Sequence, residues 1–155
     1  MDDVRSGNRI ESAPRPLWVI ALTALVPFPV AALIYCYGPG AYARPALTTL
    51  LTWAAVIVAF LGGVRWGLET RERRPRWHRL AFSALSAAAA WAVFLGRGQL
   101  SDAWILGGFI VVFLIQWLFD HQTPDTPSRY PTLSTALTAG ACISLALALE
   151  KTINA

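Results

Sequence analysis

Apolar residues in this chain fall into long uninterrupted blocks, with the polar residues gathered in short clusters between them. The blocks are Leu17–Tyr37, Ala46–Leu68, Trp77–Leu95, Ala103–Phe119 and Pro131–Leu149. Each is close to the ~20 residues that a helix rising 1.5 Å per residue needs to cross ~30 Å of hydrocarbon. None alternates with the period of two that a membrane strand requires. The pattern therefore predicts an all-α, polytopic membrane helix bundle with five transmembrane helices, joined by GPGAYAR, ETRERRPRWHR, GRGQLS and DHQTPDTPSR. The third span is the least secure. Its uncharged part begins only at Leu80, and it reaches full length by including Trp77 and His78.

Within the first block, VPFPV places Pro27 and Pro29 near the middle of the membrane. Each removes a backbone donor and crowds the preceding turn, so this helix is expected to kink. Its freed carbonyls then need partners from neighbouring helices or water. A basic tail, an apolar run and the triplet Ala41–Tyr42–Ala43 also follow one another in the order of a signal peptide. The run from Leu17 to Tyr37 is longer than the ~7–15 residues of a signal core, so it is expected to stay as the first span. The domain reading is a basic tail over 1–16 and a single five-helix domain over 17–150.

Composition strengthens this picture. With 55% hydrophobic and 14% charged residues, the chain has too little polar surface to coat a soluble globule. The sequence pI of about 9.6 does not indicate nucleic-acid binding, because the basic residues lie between apolar blocks rather than on a soluble face. They report orientation instead. Arg5, Arg9, Arg15, Arg71, Arg73, Arg74, Arg76, Arg79 and Arg129 fall on one side of a five-span chain, against Arg44, Arg97 and Lys151 on the other. The positive-inside rule then predicts an N-terminus on the inner side, in the cytoplasm or in the matrix for a mitochondrial protein, and a C-terminus outside. Trp18, Trp66, Trp77, Trp117 and Tyr130 lie near the inner helix ends, and Tyr35, Tyr37, Tyr42 and Trp104 near the outer ends, as interfacial belts. Trp53 and Trp91 lie deeper and are expected to be packing residues.

Candidate chemistry is sparse. Cys36 and Cys142 differ in depth, which argues against a disulfide. No cysteine or histidine spacing matches a metal site, His78 and His121 stand apart, and no cofactor is expected. The centres of the spans hold no ionisable residue of the kind a proton-coupled transporter needs. For an enzyme, only Glu69 with Asp120, helped by His78, offers paired titratable groups, so a non-catalytic protein is favoured.

Two features remain. Ala59, Gly63 and Gly67 recur every four residues, a small-residue ridge that permits close approach of another helix, with Gly62 beside it and expected to matter less. Arg65 lies among them, and a polar cluster of Arg65, Trp66, Glu69, His78, Gln116, Asp120 and Tyr130 collects at the inner helix ends. Asp120 closes the fourth helix, where a carboxylate is disfavoured unless a cation is near. Arg65 is open to three readings: a bridge to Asp120 or Glu69, a snorkelling interfacial anchor, or the base of a ligand pocket.

Several of these segments resemble one family. They are Pro27–Phe28, FLGGVRWGL, FSALSAAAAW framed by Phe82 and Trp91, Asp120, and YPTLSTALT. In this order, from about residue 17 to 150, the chain resembles the family of small membrane proteins called domain of unknown function 3429, the transmembrane protein 69-like proteins. The resemblance implies a polytopic protein of bacterial inner membranes or mitochondria and no particular activity. Arg129 and Ser134 depart from the family pattern, which has an aromatic residue and an arginine there.

The favoured function is a structural, accessory or assembly component of a larger membrane complex. It would associate with a protein partner or a second copy through the glycine face, with membrane lipids around it. The alternative is a binder or transporter of a small or lipid-like molecule through the polar cluster. The charge asymmetry predicts that reporter fusions after Lys151 behave as external and fusions within Glu69–Arg79 as internal. An internal C-terminus would show that one span, the alanine-rich third above all, does not cross.

Overall fold

The computed structural model describes residues 15–71, 76–122 and 130–154, with the side chains of residues 15–18 and 130–132 outside that description. Arg129 and the arginines at 5, 9, 73 and 74 therefore lie outside the described residues, as do the side chains of Arg15, Trp18 and Tyr130. The helices are α1 (Arg15–Leu25), α2 (Pro27–Tyr37), α3 (Gly40–Thr70), α4 (Trp77–Leu95), α5 (Asp102–His121) and α6 (Tyr130–Asn154). A short 3₁₀ turn, Gly96–Gly98, follows α4. Five stretches are long and apolar enough to cross a membrane, α1 and α2 together forming the first. No strand occurs among the described residues.

The break between α1 and α2 falls at Val26, where the two prolines interrupt the helical ladder. Val26 N–H is shared between the carbonyls of Leu22 and Thr23, at 3.2 and 3.3 Å. The carbonyl of Ala24, at the end of α1, accepts the indole N–H of Trp53 on α3 at 2.8 Å. Trp53 thus supplies a donor from a neighbouring helix to the interrupted one, as a bilayer interior requires.

Helices α2, α3, α4, α5 and α6 close into a ring in which each packs on the next and α6 returns to α2, while α3 also reaches α5 and α6. The core is aliphatic and aromatic, with Phe28, Leu47, Leu50, Leu51, Leu61, Phe109 and Phe113 fully or almost fully buried. Phe28 meets Phe113 edge to face at 6.0 Å across the bundle. Helix α3 begins earlier than its apolar run, at Gly40, and carries Pro45 inside its first turns, so most of GPGAYAR is helix rather than loop. Trp91 is 65% exposed and faces away from the bundle. The expectation that it packs in the core fails because the inward stripe of α4 is made of Ser83, Ser86 and Ala90.

That stripe of small side chains explains how α4 lies against α3. A Cβ placed on Gly62 would collide with the Ser86 hydroxyl and would sit 2.8 Å from the Ser83 carbonyl oxygen. The Ser83 hydroxyl in turn donates to the Gly62 carbonyl. By contrast, Ala59, Gly63 and Gly67 are exposed, and a Cβ at Gly63 or Gly67 meets nothing within 4 Å. The intramolecular close contact therefore runs through Gly62, one residue round the helix from the ridge that the four-residue spacing marks. Gly62→Leu is expected to lower the thermal midpoint in detergent by several degrees, since overpacking costs about 1–3 kcal/mol. In the separated protomer Gly63→Leu should leave it within about a degree, because ordinary surface changes stay within ±0.5 kcal/mol. Differential scanning of the two variants checks the contrast.

Candidate functional site

At one end of the bundle, four helices meet on a single charged pair. Arg65 occupies the last third of α3 and is 7% exposed, although its neighbours Trp66 and Gly67 face outward. Its Nε donates to Asp120 Oδ1, and the other carboxylate oxygen accepts the Ser134 hydroxyl at 2.5 Å. Asp120 is fully buried. The Nη2 of Arg65 also donates to the Phe119 carbonyl at 3.1 Å. This carbonyl belongs to the last turn of α5, whose terminal oxygens have no donor within their own helix. Arg65 therefore neutralises the carboxylate and caps the helix end on which that carboxylate sits, offsetting the unfavourable dipole there. Its guanidinium lies over the Phe119 ring, 4.6 Å from the centroid, and that ring stacks on Phe82 of α4 at 3.8 Å.

The remaining members of the predicted polar cluster separate. Glu69 turns to α4, where it accepts the backbone N–H of Arg76 at 2.8 Å and pairs with Arg79 at 3.5 Å. It clamps the start of α4 rather than the Arg65 guanidinium. Trp66 and His78 are exposed, His78 lying edge to face with Trp77 at 6.2 Å. Gln116 is buried one turn from Asp120 on the same face of α5, and the Tyr130 side chain is outside the described residues. Burial of the guanidinium answers the anchor reading: an arginine 7% exposed and bonded within the bundle is not held by lipid headgroups. Three participants went unrecognised in the sequence. Phe119 looked like one more apolar residue, Ser134 was noticed only as a departure from the family pattern, and Phe82 only as a motif boundary. Spacing carried a signal for Ser134, since it opens the last span at the depth where Asp120 closes the fourth.

At the opposite end the fasteners are weaker. Arg44 pairs with Asp102 at 3.3 Å while remaining 85% exposed, and Arg97 donates to the Thr48 hydroxyl at 2.9 Å. The Tyr35 and Thr152 hydroxyls share a hydrogen bond of 2.9 Å. Cys36 and Cys142 are free thiols, and no group of three metal-ligating side chains occurs among the described residues. Among the described residues, the carboxylate that Arg65 meets is fully buried and bonded at both oxygens.

Breaking a buried ion pair by removing one partner typically costs ~3–5 kcal/mol, because the other charge is left unmatched. Arg65→Leu and Asp120→Asn are each expected to lower the thermal midpoint in detergent steeply, and the double variant by less than the sum of the two. Arg65→Lys should also destabilise, since one ammonium cannot bond Asp120, cap Phe119 and lie flat on its ring together. Strict additivity with a silent lysine would show that the pair contributes nothing as a pair.

The family profile described as Protein of unknown function (DUF3429) matches residues 13–150. The chain is also similar to Transmembrane protein 69 of Xenopus tropicalis, 34% identical over 140 residues that cover 88% of this chain and 54% of the relative. It is 29% identical to Transmembrane protein 69 of Mus musculus over 143 residues, 88% of this chain and 56% of that relative. The chain thus spans about half the length of the curated relatives it matches. No solved structure matches it. The first span with its break at Val26, FLGGVRWGL, Asp120 and the opening of α6 all lie within the matched residues. With five spanning helices and a profile match along nearly its whole length, the chain belongs to the DUF3429 family and is a multi-pass membrane protein.

Proposed function

We propose that this protein is a non-catalytic structural, accessory or assembly component of a larger membrane complex, joined to its partner through the outer face of α3. One observation carries this reading. The Ala59–Gly63–Gly67 ridge is exposed, and among the described residues nothing lies within 4 Å of a Cβ placed on Gly63 or Gly67, the fold using Gly62 for its internal contact instead. Membrane helices associate through close backbone packing rather than through the hydrophobic effect, so a flat small-residue face offers a second helix the approach it needs. Phe60 and Trp66 flank the ridge and are 56% and 47% exposed, giving that helix walls to pack against.

The membrane we assign is the bacterial inner membrane, with the Arg65 end on the cytoplasmic side and the C-terminus periplasmic. The nine-to-three distribution of basic residues supports that side. The names of the Xenopus tropicalis and Mus musculus relatives say only that they are transmembrane proteins.

Light scattering and native mass measurement in mild detergent test the association. The wild type is expected to run as a complex of fixed stoichiometry, and Gly63→Leu to release a monomer that stays folded, with its midpoint lowered only by the loss of the partner. A wild type that is monomeric at membrane-like concentrations, or a complex indifferent to Gly63→Leu, would refute the reading.

A further inference from the structure

Helix α3 ends and α4 begins in one corner of the Arg65 end, where the exposed side chains are basic and aromatic. Arg71 follows the last residue of α3, Arg76 and Trp77 open α4, and all three are exposed. The carboxylate that holds this corner together is Glu69. It accepts the Arg76 N–H at 2.8 Å and pairs with Arg79 at 3.5 Å, the Glu69 and Arg79 side chains being only 11% and 13% exposed. Glu69 and Arg79 thus balance one another inside the corner. Among the described residues between 69 and 79, three arginines stand against one carboxylate, and the excess positive charge is carried outward by Arg71 and Arg76. The sequence from Glu69 to Arg79 has the same sign as a whole, with five arginines and two glutamates.

Depth decides what meets this charge. Trp77 is 79% exposed at the end of a membrane-spanning helix, and an indole so placed sits at the headgroup level of a bilayer. Arg76 directly precedes it, and the Glu69 bond ties that start of α4 to a residue two positions before Arg71. The two arginines therefore lie at phosphate depth on adjacent helix ends. At that depth the counter-ion on offer is the phosphodiester of a lipid, and a planar guanidinium can bond two phosphate oxygens at once. A zwitterionic headgroup brings its own ammonium to the same place and cancels most of the attraction. An anionic headgroup does not.

We propose that the α3–α4 corner binds an anionic glycerophospholipid of the adjoining leaflet, its phosphate held between Arg71 and Arg76 and its glycerol and upper acyl chain lying against Trp77. Glu69 and Arg79 are not ligands; they position the two helix ends. A basic residue at a membrane surface gains about fivefold in attraction to anionic lipid, so two on one headgroup give about 25-fold selection over phosphatidylcholine. The site stands apart from the association proposed for the outer face of α3, and Gly63→Leu is expected to leave lipid selection intact.

The test purifies the full chain in mixed micelles holding equal amounts of dioleoylphosphatidylglycerol and dioleoylphosphatidylcholine, and measures the ratio of the two lipids that stay with the protein through gel filtration. At low salt the wild type is expected to retain phosphatidylglycerol about 25-fold over phosphatidylcholine. Arg71→Gln and Arg76→Gln should each cut the ratio to about fivefold, and the double variant should bring it near parity. Arg44→Gln removes the same charge from the exposed arginine at the opposite end of the bundle and should leave the ratio as it is. Raising the salt to about 0.5 M should bring the wild type itself near parity by screening, a measurement that needs no variant. Glycerol 3-phosphate at the concentration of the lipid should not displace it, because a free headgroup has no acyl chain to hold it at this depth. The proposal is overturned if phosphatidylglycerol is not enriched, or if its enrichment survives the double variant or high salt. It is equally overturned if Arg44→Gln lowers the ratio as much as Arg71→Gln does, or if glycerol 3-phosphate displaces the lipid, which would make the corner a site for free phosphate.

Discussion

A guanidinium and a carboxylate can be held inside a membrane-spanning bundle only when each is met on every side, and this protein arranges its helix ends around that demand. Arg65 comes from α3, Asp120 and the Phe119 carbonyl from α5, the Ser134 hydroxyl from α6, and the Phe82 ring that backs Phe119 from α4. Burying two charges carries a desolvation penalty that the attraction between them only partly offsets, so the remaining lone pairs and protons have to find partners. The side chains that provide them are short or aromatic, and they fix both the depth and the rotation of the helices that carry them.

Close approach of helices is the second constraint, and it is met by removing side chains rather than by fitting large ones together. Gly62 lets α4 come near enough for the Ser83 hydroxyl to bond an α3 carbonyl, and Ser86 fills the space that a Cβ would take. The alanine-rich stretch of α4 belongs to the same solution. A soft, featureless run in the sequence is, in the bundle, a helix whose inward face is small enough to lie flat on α3. The first span shows the reverse case: two prolines break the ladder, and a long side chain, Trp53, reaches across to satisfy the carbonyl of Ala24.

The architecture was legible because the bilayer imposes it: length, apolarity and the absence of period-two alternation leave five helices as the reading of these blocks. Helix ends were less so, since α3 starts six residues before its apolar run, with Pro45 accommodated inside the helix. Arg65 and Asp120 stood out as charges at matching depth, and the structure pairs them. Which glycine faces inward was not legible. A four-residue spacing identifies a ridge but not the neighbour it meets, and Gly62 differs from Gly63 by only ~100° of helix rotation. The choice between Asp120 and Glu69 for Arg65 was left open for a related reason: Glu69 is near Arg65 along its own helix, but the fold brings Arg79 and the Arg76 N–H to it. Trp91 shows that a large aromatic residue at mid-span is not thereby internal when the surrounding solvent is hydrocarbon.

The two ion pairs between α3 and α5 together act as a ruler. Arg44 to Arg65 covers about 32 Å of helix and Asp102 to Asp120 about 27 Å, which brackets the hydrocarbon thickness of a typical bilayer. A helix pair pinned at both ends cannot slide to follow a thinner or thicker membrane. The Arg65 pair is buried and the Arg44 pair is 85% exposed on its arginine side, so hydrophobic mismatch would be absorbed at the Arg44 end first. The protein therefore carries its own preferred membrane thickness, and lipid around it must stretch or compress to match.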